Sequence, residues 1–304
     1  MLNHPLRIVS LIPSATEIVA ALGFGEALVG RSHECDYPAS VLDLPICTAP
    51  NLNPQGTSQQ IHDRVTELLQ AALSIYRVDL DLLEHLQPTH IITQAQCDVC
   101  AVSLSEVEVA AQVLSRQPRL ISLQPNRLAD VWVDMARVAS ALAGDATPIL
   151  DALQARVRFS QQQAQSVDLP SVACIEWTEP LMAAGNWVPE LVELAGGKNL
   201  FGAIGQHSPW LEWSALLAAN PEIIIFMPCG FNLEQTRQAA STLTAKPEWP
   251  DLQAAQTGHV YLTDGNQYFN RPGPRLVESL EILAEILQPN RCQFGHQGQA
   301  WQVF

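Results

Sequence analysis

The sequence predicts an α/β fold: two α/β lobes with largely parallel sheets, joined by a long backbone helix, with a ligand cleft between the lobes. Three observations lead there. Short apolar runs of buried-strand character alternate with helical stretches through the first third of the chain. From about residue 127 to 165 strand signals vanish and the chain is mostly helical. From Pro170 the alternation resumes. Strands separated by helices imply a largely parallel sheet, and 304 residues suit two domains of ordinary size. The expected division is an N-terminal lobe over residues 1–126, a helical connector over 127–166 and a C-terminal lobe over 167–304. A rigid connector permits only limited hinging, and a ligand is expected outside the carboxyl ends of the strands.

The elements follow in order. IVSLIP, from Ile8, is the first buried strand. Ser14 and Glu17 have the S-x-x-E spacing of a capping box, which opens a helix by satisfying its free N–H groups, and Gly23 and Gly25 end that helix. LVG is the second strand. A polar loop with His33, Glu34, Cys35 and Asp36 follows, then a proline-rich loop to Pro54. A helix is expected over about 58–76, and DLDLLEHLQPTHIIT reads as a short helix, a proline break and a strand. Residues 105–115 read as helix and RLISLQP as strand. The connector comprises LADVWVDMARVASALAG and ATPILDALQARVRFSQQQAQ, interrupted at Gly144 and Pro148. Beyond it SVACIEW, EIIIFMP and HVYLTD read as strands. VPELVELAG, SALLAAN, residues 233–243 and an amphipathic RLVESLEILAEIL read as helices. After Pro289 the periodic signal is poor.

Composition narrows the function. A net charge of −15 argues against nucleic acid held through its phosphates, and is compatible with a neutral or cationic small ligand or a basic partner. No apolar run approaches the roughly 18 residues of a membrane span. Seven cysteines, an odd number, suit a reducing cytosol better than an oxidising compartment. Only six residues precede Arg7, so with Met1 as the true start there is no room for an export signal. The expected location is the cytoplasm, or the periplasm if the true start lies upstream. G-x-S-x-G, Walker and H-E-x-x-H motifs are absent, and no carboxylates stand out as an acid and base pair, so no enzyme is expected.

IVSLIPSATEIVAALG, HECDYP, CDVCAVS, GNWVPELVELAGG, HSPWLEW, FMPCGFNLEQT and DGNQYFNRPGPRLVESLEILAEIL run in that order from Ile8 to Leu287. Together they resemble segments of the cobalamin-binding branch of the helical-backbone periplasmic binding proteins, a family that captures vitamin B12, ferric siderophores, haem or metal ions. The resemblance implies a two-lobe clamp that binds cobalamin or a related corrinoid without catalysis, in uptake, storage or sensing. It also implies docking on an ABC transporter through acidic side chains. The matching positions lie near Asp79 or Asp81 and Glu212, which are otherwise solvated surface charges.

Candidate ligand contacts lie in the C-terminal lobe. Trp187 and Trp210, on loops, suit a large flat macrocycle, because an indole offers broad apolar contact and one polar handle. Trp177 ends a strand and is expected in the core, Trp213 fits either place, and core packing is the alternative for all four. DGNQYFNRPGPR is a loop stiffened by glycine and proline, in which Asp264, Asn266, Tyr268 and Arg271 could hold the amide rim of a corrinoid. A structural turn into the last helix, with Arg275 merely solvated, is the other reading. Phe231 is a further possible wall, and His207 a lining or surface residue. His33 and Cys35, with Cys97 and Cys100 in C-x-x-C spacing, form a four-ligand metal candidate from two loops. Free thiols or a disulfide are open alternatives, and His33 could instead approach the cobalt of a corrin. The second functional reading is therefore a metal-ion or iron-chelate/haem binder using this His/Cys site.

Overall fold

The computed structural model describes residues 5–71, 74–96 and 102–304. They form two compact units. The first holds β1 (Ile8–Ser10), α1 (Pro13–Ala21), β2 (Leu28–Arg31), β3 (Thr48–Pro50), α2 (Ser58–Gln70), β4 (Tyr76–Val78) and α3 (Leu80–Leu86). It continues with β5 (His90–Gln94), α4 (Leu104–Val113), β6 (Arg119–Leu123) and α5 (Leu128–Ala141). Its main sheet is parallel, in the order β2-β1-β5-β6, and β3 and β4 form a separate antiparallel pair. Both faces of the sheet are covered, so residues along β1 and β5 are buried one after another rather than alternately. Val9, Leu11, Leu83, Ile91 and Val107 form part of its core.

The chain then runs through α6 (Thr147–Ala164), the longest helix among the described residues, most of which belongs to the second unit. The segment expected to be one connector is two helices. Ala143 takes a left-handed backbone between them, and Gly144 packs against the ring of Phe24 so closely that a Cβ would meet it at 2.6 Å.

The second unit continues with β7 (Ser171–Thr178), β8 (Leu181–Ala183), α7 (Val188–Leu194), β9 (Lys198–Asn199), α8 (Trp213–Ala219) and β10 (Ile223–Phe226). It ends with α9 (Leu233–Thr244), α10 (Gln253–Thr257), β11 (Val260–Thr263), α11 (Leu276–Leu287) and β12 (Trp301–Val303). β9, β7, β10 and β11 run parallel, while β8 and β12 close the sheet antiparallel. Phe226, Ile224, Leu262 and Ile175 anchor the core.

Three local expectations change. Ser14 and Glu17 do not cap α1. The helix already starts at Pro13, Thr16 N–H donates to Ile12 O at 3.2 Å, and both side chains are buried within the first turns. The tail after Pro289 is not featureless. Residues 301–303 pair with β11, a strand too short for periodicity to register. The last helix is not amphipathic in the usual sense, because every residue of α11 except Glu278 is buried. Its carboxylates are partnered inside. Glu281 takes Arg156 in two bonds of 3.1 and 2.8 Å and His296 Nε2 at 2.9 Å. Glu285 accepts the N–H groups of Phe294, Gly295 and His296 and the indole N–H of Trp301 at 2.7 Å. This buried carboxylate holds the tail in place.

Candidate functional site

The carboxyl ends of β7, β10 and β11 lie side by side, so their loops share one edge of the second unit's sheet. Backbone hydrogen bonds sew these loops together. Cys229 N–H donates to Glu176 O, Gly230 N–H to Gly265 O and Asn266 N–H to Phe231 O, at 3.4, 3.4 and 3.1 Å. The Asn270 amide reaches both Met227 O at 3.1 Å and Gly265 O at 2.9 Å. At Gly265 the strands approach so closely that a Cβ would lie 2.1 Å from Pro228 O. Gly185 is a second such point, with a virtual Cβ 2.5 Å from Ser208 N. There Ser208 Oγ accepts Gly185 N–H at 3.1 Å and donates to Glu176 Oε2 at 2.9 Å, tying the segment before α8 to β7.

The expected contacts divide on this edge. Trp210 is 61% exposed, in the loop just beyond Ser208. His207 beside it is exposed, its Nδ1 3.1 Å from Ser208 O. Trp187 is not an exposed loop indole. It is 5% exposed and its Nε1–H donates to Phe269 O at 2.6 Å, pinning the start of α7 to the 264–275 loop. Phe231 is 8% exposed and packs against Trp177, ring centroids 5.3 Å apart. Trp213 stacks near Trp249, partly buried against the core.

Asp264 is buried and accepts Asn266 N–H at 3.0 Å, Gln267 N–H at 2.8 Å and the Gln267 amide at 3.1 Å. It shapes the turn. Arg271 and Arg275 are both buried, so Arg275 is not a solvated charge. Arg271 donates to Asn266 Oδ1 at 3.0 Å, and the Arg275 guanidinium lies over the Tyr268 ring at 5.5 Å. The loop is thus a polar, cation-bearing structure fixed by its own side chains. No signal in the sequence marks Gln267 or Arg275 as its organisers.

In the first unit the proposed metal ligands part company. Cys35 is fully buried, and its sulfur accepts from Thr16 Oγ1 at 3.0 Å. His33 turns instead to β3, with Nδ1 2.8 Å from Thr48 Oγ1. Burial, with the nearby Arg31 charge, holds the His33 imidazole below its ordinary pKa. Cys97 and Cys100 lie outside the described residues. Among the described residues no three His, Cys, Asp or Glu side chains are grouped to hold an ion. Burial pushes the Cys47 and Cys174 thiols up to about 12, so both are protonated at neutral pH.

A family model described as periplasmic binding protein matches residues 8–267. The vitamin B12-binding protein of Photorhabdus laumondii is 24% identical over 291 residues, covering 94% of this chain and 89% of that protein. An uncharacterized ABC transporter substrate-binding lipoprotein of Bacillus subtilis, YvrC, is 24% identical over 296 residues, 95% of this chain and 82% of its own. Among solved structures, a periplasmic heme binding protein from Pseudomonas aeruginosa superposes with TM-score 0.71 at 19% identity, covering 95% of this chain and 94% of that one. Periplasmic vitamin B12 binding protein BtuF of Vibrio cholerae gives 0.67 at 19%, with 94% and 98% covered. At such identities the solved structures establish the shared fold.

Proposed function

Because the chain belongs to the periplasmic binding protein family, whose members bind solutes for ABC transporters and do not transform them, we propose that its cargo is cobalamin or a related corrinoid. The observation that carries the reading is the indole of Trp210, 61% exposed on an edge whose other members are locked by hydrogen bonds. An aromatic plate presented by a rigid frame binds a flat macrocycle with little ordering cost. Relatives named vitamin B12-binding protein, aligned over more than nine-tenths of the chain, support the same choice. The polar 264–275 loop then supplies groups for the amide rim. Haem is the second reading, favoured by the neutral imidazole of His33.

The compartment belongs to the proposal as well. Among the described residues Cys47, Cys174 and Cys292 are free thiols, which suits a reducing cytosol. In the alternative placement, outside the cytoplasmic membrane, exposed Asp79 or Asp81 and Glu212 are the proposed contacts with a transporter.

Titrating purified protein with cobalamin, haemin and Zn²⁺ tests the assignment. A stoichiometric corrin band shift is the expected result. Haemin binding without cobalamin binding moves the assignment to haem, and tight Zn²⁺ uptake alone overturns both.

A further inference from the structure

The polar 264–275 loop leaves the sheet at the end of β11 and enters α11 at Leu276. Its second half rests on the first turn of that helix. Phe269 N–H donates to Ser279 Oγ at 3.0 Å, and the hydroxyl donates to Arg275 O at 3.2 Å. Its first half hangs on Asp264, whose carboxylate holds Asn266 and Gln267. Those two meet the loop's cations. Asn266 Oδ1 accepts from Arg271 at 3.0 Å and Gln267 Oε1 from Arg275 at 3.4 Å. Where Asp264 stands therefore bears on where both guanidiniums stand.

Asp264 is itself held by the tail beyond Pro289. Its N–H donates to Ala300 O at 2.9 Å, and Trp301 pairs with Thr263 just behind it. Ala300 N–H donates in turn to His296 O at 2.9 Å. His296 closes a turn that α11 grips. The successive N–H groups of Phe294, Gly295 and His296 converge on the buried Glu285 carboxylate, at 2.5 Å from Gly295 and 3.2 Å from His296. The left-handed backbone of Gly295 opens this nest. The indole N–H of Trp301 donates to the other oxygen at 2.7 Å. The tail is thus a clip. One part lies in the sheet beside β11 and another is clasped by α11, the two elements from which the loop springs.

We propose that Glu285 is a positioning residue for the ligand loop: through residues 294–301 it holds Asp264, and with it Arg271 and Arg275, in the geometry that receives the polar rim of the cargo. The effect on cargo rests on the macrocycle reading above, whereas the ordering of the loop does not. The converging donors call for a charged acceptor with two oxygens. A glutamine there would turn its own N–H groups against them. Ordering the loop in advance spares that cost on binding.

Hydrogen exchange of the ligand-free protein, read by mass spectrometry, and titration with cobalamin and haemin test this. Wild type, Glu285→Gln and Trp301→Phe are compared with Ser103→Ala, which loses the cap of α4 in the first unit and controls for stability. All are measured well below their melting temperatures, with folding checked by circular dichroism. Glu285→Gln should speed exchange in peptides spanning 264–269 and leave β7 and β10 as protected as in wild type. It should weaken the pigment that wild type binds about 2- to 30-fold, the range for coupling through a hydrogen-bonded chain. Trp301→Phe leaves the nest filled, should show a smaller change in the same direction, and keeps the test open should Glu285→Gln not fold. Ser103→Ala should lower the melting temperature with neither change. Loop peptides as protected as in wild type, faster exchange spread evenly over the second unit, or an affinity that stays the same while the loop loosens would each overturn the positioning role. Wild type that binds neither pigment overturns the macrocycle reading instead, and the exchange result then decides the ordering of the loop by itself.

Discussion

Two tryptophans with the same local appearance have opposite fates. Trp187 and Trp210 each follow a glycine- or proline-bearing turn and precede a helix, yet one is 5% exposed and the other 61%. What separates them is Phe269 O, eighty-two residues along the chain from Trp187, which accepts its indole N–H. No local pattern displays such a partner, and the same holds for the Arg275 to Tyr268 contact. The residue types of these loops are legible in the sequence, whereas the direction in which each side chain packs is not. Trp187→Phe keeps an aromatic ring but removes the pyrrole half of the indole and leaves the carbonyl without its donor, and should cost at least about 1–3 kcal/mol. A denaturant titration should show that as a lower midpoint with unchanged slope. Trp210→Ala should instead weaken corrinoid binding by about 2 kcal/mol, the usual loss for a truncated aromatic anchor, with little change in melting temperature.

Elements show how one motif can mislead when its context is ignored. Ser14 and Ser103 both stand three residues before a glutamate. Only Ser103 is a cap. Its hydroxyl accepts Glu106 N–H, while the Glu106 carboxylate reaches back to Ser103 N–H at 3.3 Å. At Ser14 the preceding Pro13 already occupies the first helical position, with its fixed φ, so the serine falls inside the helix. Its Oγ is buried with no hydrogen-bond partner among the described residues. The two serines should therefore respond differently to alanine. Ser103→Ala should lose about 1 kcal/mol of stability, whereas Ser14→Ala should be neutral or stabilising, because it removes an unsatisfied buried hydroxyl. Paired thermal melts decide it, and equal losses would reject the distinction. The loops depend on glycine in the same contextual way. Gly265→Ala places a methyl against Pro228 O and must separate the ends of β10 and β11. Ligand binding should fall along with stability, in contrast to substitution at Gly230, where a Cβ meets nothing within 4 Å though the backbone is left-handed.

At the scale of the molecule the two units repeat one connection scheme. β1-α1-β2 with β5 and β6 is matched by β7-α7-β9 with β10 and β11, and in both a proline heads the first helix. In both, a seven-residue helix ends on a left-handed residue, Gln87 or Asn220, one position before the proline that leads into the next central strand. That alternation is strong in the sequence because the central parallel strands carry apolar runs, VACI in β7 and IIIF in β10 among them. The edge strands β8, β9 and β12 are two or three residues long and carry no such signal. Ionisation extends across the whole chain and separates two expectations. A net charge of −15 suggests that acidification toward the isoelectric point relieves repulsion and stabilises. The folded environment argues the reverse. Burial, with the Arg119 charge, holds His90 below its ordinary value of 6.5. Bonds from Ser171 hold Glu222 low, and at Glu281 the bonds from His296 and Arg156 outweigh a burial that pushes upward. In each case the unfolded chain binds its proton first, so stability rises with pH across the interval between the two pKa values. Stability should be full above about 6.5, fall as His90 is forced to charge, and fall again below about 4.5 as Glu222 and Glu281 are protonated. The melting temperature should therefore decline from pH 7 to pH 5, and His90→Gln should remove part of that first descent, the rest belonging to His33, which is also held low, while leaving the carboxylate step below it. A melting temperature that climbs over the same interval would mean that net-charge repulsion, and not the half-buried imidazoles of His90 and His33, governs the acid side.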